Sequence, residues 1–238
     1  MQETRAQDVD RLKDCQLELA NPWYLHLRSL FADLERASVH AHGRLLDVGC
    51  GNKPYERMFT CRVSEHIGCD VVQSSQHRVD VICPATSLSF GDSSFDTVLC
   101  TQVIEHVVDH KQLLSESFRV LKSGGVLILS GPMYWPLHEE PHDFFRFTKH
   151  GLKYLLEEAG FVNLEIVNNG GKWALTGQVL VHAIEGTRIG YSFIIRALNR
   201  LFAYVDDWHP VQSNTINYLV VAHKPASPCD STTLPVPS

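Results

Sequence analysis

Seven cysteines are present, yet no two form a Cys-x-x-Cys pair, so a thiolate zinc site lacks its usual signature. They stand singly at Cys15, Cys50, Cys61, Cys69, Cys83, Cys100 and Cys229. An odd number without framework spacing reads as reduced thiols in a cytoplasmic protein. No run approaches the roughly 20 apolar residues that a membrane span needs, so no membrane partner is expected. The opening "MQETRAQDVDRLKD" has no apolar core and does not read as a secretory signal. A basic excess is also missing. There are 21 Lys and Arg against 27 Asp and Glu, for a net charge of −6, and no nucleic-acid partner is expected.

What is present is an ordinary globular profile, with 44% hydrophobic and 20% charged residues over 238 positions. That length suits one large domain with an embellishment. Asn21 and Pro22 read as an N-cap and first-turn proline, ahead of Leu27, Leu30, Phe31 and Leu34 at helical spacing. "RLLDVG" (44–49), "EHIGCDVV" (65–72), "SFDTVLC" (94–100) and "GGVLILS" (124–130) read as buried strands. Residues 109–121 form an amphipathic helix between two of them. A second helix starts at Thr148 and stops at Gly160. "VNLEIVN" (162–168) and "TINYLVVAHK" (215–224) alternate as strands. The aromatic-rich stretch between them reads as an inserted helical segment.

Alternating strands and helices predict an α/β fold: a Rossmann-like, seven-stranded, mostly parallel sheet with helices on both faces. The expected division is an N-terminal helical cap (1–40), a main domain (41–224, with the 170–210 insert) and a Pro/Ser/Thr-rich disordered tail (225–238). Ligands of such sheets bind at the carboxyl ends of the strands. The chemistry is therefore expected just after Val48, Cys69, Cys100 and Ser130.

"LLDVGCGNKPY" (45–55) places Asp47, Gly49 and Gly51 at the end of the first strand, and Asp70 ends the second. Glycines let a backbone approach a ligand closely. An acid on the second strand can accept both hydroxyls of a ribose. A dinucleotide-binding G-x-G-x-x-G is excluded, because Pro54 stands at its last position. "LSFGDSSFDTVLCTQVIEHV", "LLSESFRVLKSGGVLIL" and "GLKYLLEEAGF" follow in order. Together these blocks resemble the class I S-adenosylmethionine (SAM)-dependent methyltransferases of the small-molecule group.

The resemblance implies SAM as cofactor and S-adenosylhomocysteine as product. Gly49 and Gly51 would pass under the methionine moiety, with Asp47 near its ammonium. Asp70 would hold the ribose, with Val71 beside it. Ala85 and Thr86 would line the adenine, and Thr101 and Gln102 would face the methionine and sulfonium. Glu105 and His106 would lie beside or just behind the site. Lys53 stands where the family often has a third glycine, and Pro84 where it often has an adenine-contacting acid.

"GPMYWPLHEEPHDFFRFT" (131–148) follows the next strand and is expected to rim the acceptor side. A subset of these methyltransferases carries a similar H-x-x-P-x-D-x-x-R-x-T run, which His138, Pro141, Asp143, Arg146 and Thr148 match. His138 and His142 at i, i+4 would suit zinc on a helix. Pro141 between them disfavours a helix and no third ligand is evident, so no metal is expected. Methyl transfer is an in-line displacement that needs a base only if the acceptor must lose a proton. His138 or His142, oriented by Asp143, could supply one. Equally, Asp143 and Arg146 could pair to pin the loop as a lid. Tyr134, Trp135, Phe144 and Arg146 are the expected acceptor contacts. The function expected is methylation of O or N on a small natural-product or sugar-like acceptor, with a homodimer as the assembly considered. The alternative is a SAM-binding protein of this fold repurposed as a non-catalytic regulator or partner.

Overall fold

The computed structural model describes residues 12–185 and 191–227. The first eleven residues and the tail from 228 lie outside them, with the corresponding parts of the expected cap and tail.

Helix α1 (Tyr24–Ala37) precedes strand β1 (Arg44–Val48). A single turn, α2 (Glu56–Phe59), leads to β2 (Glu65–Asp70), β3 (Val81–Ile82) and β4 (Phe95–Thr101). Helix α3 (His110–Val120), β5 (Leu121–Pro132), α4 (Lys149–Glu158) and β6 (Val162–Asn169) follow. Helices α5 (Lys172–Ile184) and α6 (Tyr191–Trp208) come before β7 (Asn217–His223).

The seven strands form one sheet in the order β3-β2-β1-β4-β5-β7-β6. All pairings are parallel except those of β7, which runs antiparallel to both β5 and β6. The expected seven-stranded, mostly parallel α/β sheet is the one found.

Strand β5 shows why the sheet is covered on both faces. Val126 and Ile128 point into a core shared with Leu27, Leu30, Phe31 and Leu34 of α1. Leu127 and Leu129 point the other way, toward Leu113 and Leu114 of α3 and Leu152 and Leu156 of α4. This alternation of period two turns one apolar run into two cores.

The caps follow local chemistry. Asp109 accepts from Gln112 N at 3.0 Å and Thr148 from Gly151 N at 3.0 Å, starting α3 and α4. Asn21 behaves otherwise than expected. Its Oδ1 accepts from Trp23 N at 2.8 Å in an Asx-turn, and α1 begins after Trp23 rather than after Asn21.

One buried carboxylate ties α3 to the loop before β4. Glu116 accepts from Leu88 N at 2.7 Å and pairs with Arg119, whose guanidinium also reaches the carbonyls of Leu88 and Phe90. The Arg119 partner holds the Glu116 carboxyl below its ordinary value of 4.5. A folded pKa below the unfolded one gives stability that is complete above about 4.5 and fades as pH falls through the folded value. Glu116→Gln is therefore expected to cost about 1–2 kcal/mol at pH 7 and to flatten the acid limb of a urea-melt series run between pH 7 and pH 3.

Candidate active site

Strand ends β1, β2, β4 and β5 open on one cleft of about 1190 Å³. Asp47, Gly49, Gly51, Asp70, Val71, Ala85, Thr86, Thr101 and Gln102 all line it. Nine expected cofactor positions thus share one wall, because parallel strands deliver their carboxyl ends to the same edge.

The glycine turn is shaped by backbone constraint. Gly49 has φ +70°, and a Cβ there would lie 2.3 Å from Val103 Cγ2. Lys53, where a third glycine was expected, adopts φ 53°. It takes the left-handed conformation that glycine would otherwise supply. Its side chain is 5% exposed, and its ammonium pairs with Asp80 Oδ2 at 2.5 Å while donating to His66 O at 3.0 Å. Asp70 Oδ2 accepts from Gly51 N at 3.1 Å and Oδ1 from Val71 N at 2.7 Å. This acid locks the turn as well as facing the cleft.

Asp47 is buried, with Oδ2 3.1 Å from His66 Nε2. Burial pushes its carboxyl above the ordinary range, against the opposing pull of His66 and Lys53. Gln102 has φ 54° and its Nε2 donates to Ser130 Oγ at 2.9 Å. A strained non-glycine residue at a strand end marks a place where position outweighs backbone comfort.

The other end of the cleft is built by the 133–147 loop. Phe144 N donates to Glu105 O at 2.9 Å and Phe147 N to Pro132 O at 2.8 Å, clasping the loop over residues 104–106. Arg146 is the pin. It makes five hydrogen bonds: two of 2.7 Å to the Asp143 carboxylate and three to the carbonyls of Trp135, Pro136 and Phe145. This fork-to-fork pair leads the causes that hold the Asp143 carboxyl down, to about 2, against the burial that would raise it. Asp143 also accepts from His138 N at 3.1 Å and lies 3.2 Å from His138 Nδ1.

Of the expected acceptor contacts, Trp135 lines the cleft, set between His26 at 4.6 Å and His182 at 4.8 Å. Tyr134, Phe144 and Arg146 do not line it. Arg146 is spent on the loop's own carbonyls and on Asp143, while Tyr134 and Phe144 are about 40% exposed on the outer side, at 39% and 42%. His138 and His142 both line the cleft but share no helix, since no helix forms between Pro132 and Lys149. Instead His142 O lies 2.7 Å from His106 Nδ1.

Sequence reasoning missed the contribution of α1. Trp23, His26 and Leu27 line the cleft, and burial drives the His26 imidazole down to about 3, so it is neutral at any working pH. Glu105 was expected beside the site. It is fully buried, and burial pushes its carboxyl up to about 8.

Residues 46–129 match the family model described as a methyltransferase domain. A probable S-adenosylmethionine-dependent methyltransferase of Mycolicibacterium smegmatis is 32% identical over 53% of this chain and 55% of its own length. The matched segment and its relatives identify a SAM-dependent methyltransferase domain within the chain. SAM is the cofactor of this domain, and the cleft edge at β1, β2 and β4 offers the glycine turn and strand-end acid that such a nucleoside needs. The chain spans about half the length of the curated relatives it matches. The 27-O-demethylrifamycin SV methyltransferase of Amycolatopsis mediterranei is 31% identical over 38% of this chain and 39% of its own length. Among solved structures, the [4+2]-cyclase SpnF is similar at a TM-score of 0.58 and 21% identity, covering 92% of this chain and 88% of that one. That likeness concerns the fold alone. Among the described residues, no helix is long and apolar enough to cross a membrane.

Proposed function

We propose that the protein transfers the methyl group of SAM to an oxygen or nitrogen of a small, ring-containing acceptor. The observation that carries this reading is the division of a single cleft. One end has the glycine turn, Asp47 and Asp70, and the other has Trp135 with His106, His138 and His142. A cleft of about 1190 Å³ has room for both SAM and a second small molecule.

In this reading Asp70 accepts the ribose hydroxyls and Thr101 and Gln102 flank the sulfonium. The acceptor ring lies against Trp135. Alignment of the two reactants supplies most of the rate. The acceptor proton is lost at the wall that carries His106 and His138. Asp143 is a positioning residue that fixes the His138 ring, and Arg146 positions Asp143. The rifamycin methyltransferase lends the acceptor class some support, as does the acidic net charge. No nucleic-acid partner is part of the proposal.

The test is incorporation of radiolabelled methyl from SAM into fractionated small-molecule extracts, alongside calorimetry with S-adenosylhomocysteine. Binding of the product with no methylated fraction would favour a repurposed SAM-binding protein, a reading kept open by the cyclase of the same fold. Once an acceptor is in hand, Trp135→Ala is expected to raise its KM about tenfold while S-adenosylhomocysteine affinity stays within about twofold. An unchanged acceptor KM would remove Trp135 from the acceptor wall.

A further inference from the structure

Glu105 stands out among the described residues because both of its carboxylate oxygens are buried without a partner. The residue is 0% exposed. Buried polar groups are almost always paired, and an unpaired one is costly. Protonation would not cure this, because the new O–H would need an acceptor too. Its near neighbour is His106 Nε2, 3.9 Å from Oε1.

Two imidazoles are already turned toward the same point. The His142 carbonyl, 2.7 Å from His106 Nδ1, can only accept. The proton is therefore on Nδ1, and Nε2 carries the lone pair. Asp143 lies 3.2 Å from His138 Nδ1 and fixes that ring the same way. Carboxylate or carbonyl behind one ring nitrogen, with the other presented as a donor, is the outer-shell arrangement of metal-bound histidine. The two rings are 4.7 Å apart, and one donor atom from each of Glu105, His106 and His138 lies within 4.8 Å of the other two.

We propose that Glu105, His106 and His138 form a binding site for a divalent ion of the zinc type at the acceptor end of the cleft. Two imidazoles and one carboxylate suit Zn²⁺, with Fe²⁺ and Mn²⁺ as weaker contenders. Ligands about 2.1 Å from zinc stand roughly 3.4 Å apart in a tetrahedron, so closure asks the loop to move in by an ångström or so. His106 and His138 both face the cleft, which leaves the fourth position to water or substrate, as in catalytic sites. Of the 138/142 pair only His138 takes part, and the other two ligands come from residues 105 and 106, after β4.

The role of this site rests on the methyl-transfer reading; the binding does not. The ion coordinates the acceptor hydroxyl oxygen and acidifies it, and the proton leaves to solvent. The oxygen then forms its bond to the methyl carbon as the carbon–sulfur bond breaks. The sulfonium keeps that electron pair and departs as the neutral thioether S-adenosylhomocysteine.

The experiment is calorimetric titration of EDTA-stripped full-length protein with ZnCl₂ in the absence of SAM, with Co²⁺ absorption as a second readout. One equivalent is expected, with a cobalt spectrum free of thiolate charge transfer. Glu105→Gln and His138→Ala should each weaken it by about 100-fold or more. His138 is half-exposed on a loop, so its variant keeps the test alive if Glu105→Gln fails to fold. Equal zinc affinity in wild type and His138→Ala, or no stoichiometric binding, overturns the site. S-adenosylhomocysteine affinity is measured on the same samples. Its loss in wild type would topple the methyltransferase reading and leave the metal result standing.

Discussion

Asp70→Ala is expected to weaken S-adenosylhomocysteine binding by roughly 100-fold in calorimetry. The carboxylate is buried at the end of β2 and already accepts from Gly51 N and Val71 N. Each oxygen has capacity for more than one donor, so two ribose hydroxyls can be added without displacing the backbone. Hydrogen bonds to a charged group contribute about 1.5–3 kcal/mol each. Losing two of them corresponds to about 3 kcal/mol or more, or two decades in Kd. The same truncation frees the Gly51 amide and loosens the turn. Asp70→Asn separates these effects, since its one carbonyl oxygen can keep a backbone contact while the charge is gone. If Asp70→Ala bound the product as tightly as wild type, the nucleoside would have to sit elsewhere.

Arg146→Met should lower the melting temperature by about 5–10 °C, and with it acceptor turnover. The Asp143 side chain is 1% exposed while that of Arg146 is 26% exposed. Removing one partner of a buried pair leaves the other charge uncompensated, at about 3–5 kcal/mol. Partial exposure of the arginine reduces this to about 2–3 kcal/mol. For a domain of this size each kcal/mol is about 2–4 °C. Arg146→Lys keeps the charge but not the planar fork, and should fall between. The double variant Asp143→Asn, Arg146→Met should recover part of the loss, since no orphaned charge remains. A double variant no better than Arg146→Met alone would mean that the carbonyl contacts, not the ion pair, hold the loop.

The strand-end wall of the cleft was legible in sequence because each of its signals is local. A strand that ends in an acid and two glycines, or in a single acid, announces a turn at a known edge of the sheet. Even Lys53 fits this logic, since the conformation of its backbone matches the glycine it replaces. β3 was not legible, because Val81–Ile82 is too short to show a period. Glu105 and His106 were placed near the site by resemblance alone. Their approach to His138 comes from the clasp of the 133–147 loop, a tertiary event with no sequence spacing. Arg146 was read both as a loop pin and as an acceptor contact, and only the pin is seen. Trp23 and His26 gave no signal, since nothing in α1 tells which of its turns meets a cleft built from strands far along the chain.

Helices α5 and α6 are fastened to the stretch leading into α1. Gln178 of α5 donates to Pro22 O at 2.7 Å and accepts from His26 N at 3.3 Å. Asn199 of α6 donates to Leu19 O at 2.8 Å and Asn21 O at 2.9 Å. A Cβ on Gly177 would fall 2.5 Å from Phe202 and 2.6 Å from Leu25. The rings that flank Trp135 thus come from α1 and α5, segments separated in the chain by six of the seven strands. A graft that exchanged only residues 170–210 for a relative's would strand these carboxamide contacts against foreign backbone. Exchanging this surface therefore calls for both pieces to be transplanted as one unit, with the strand-end half of the cleft left in place.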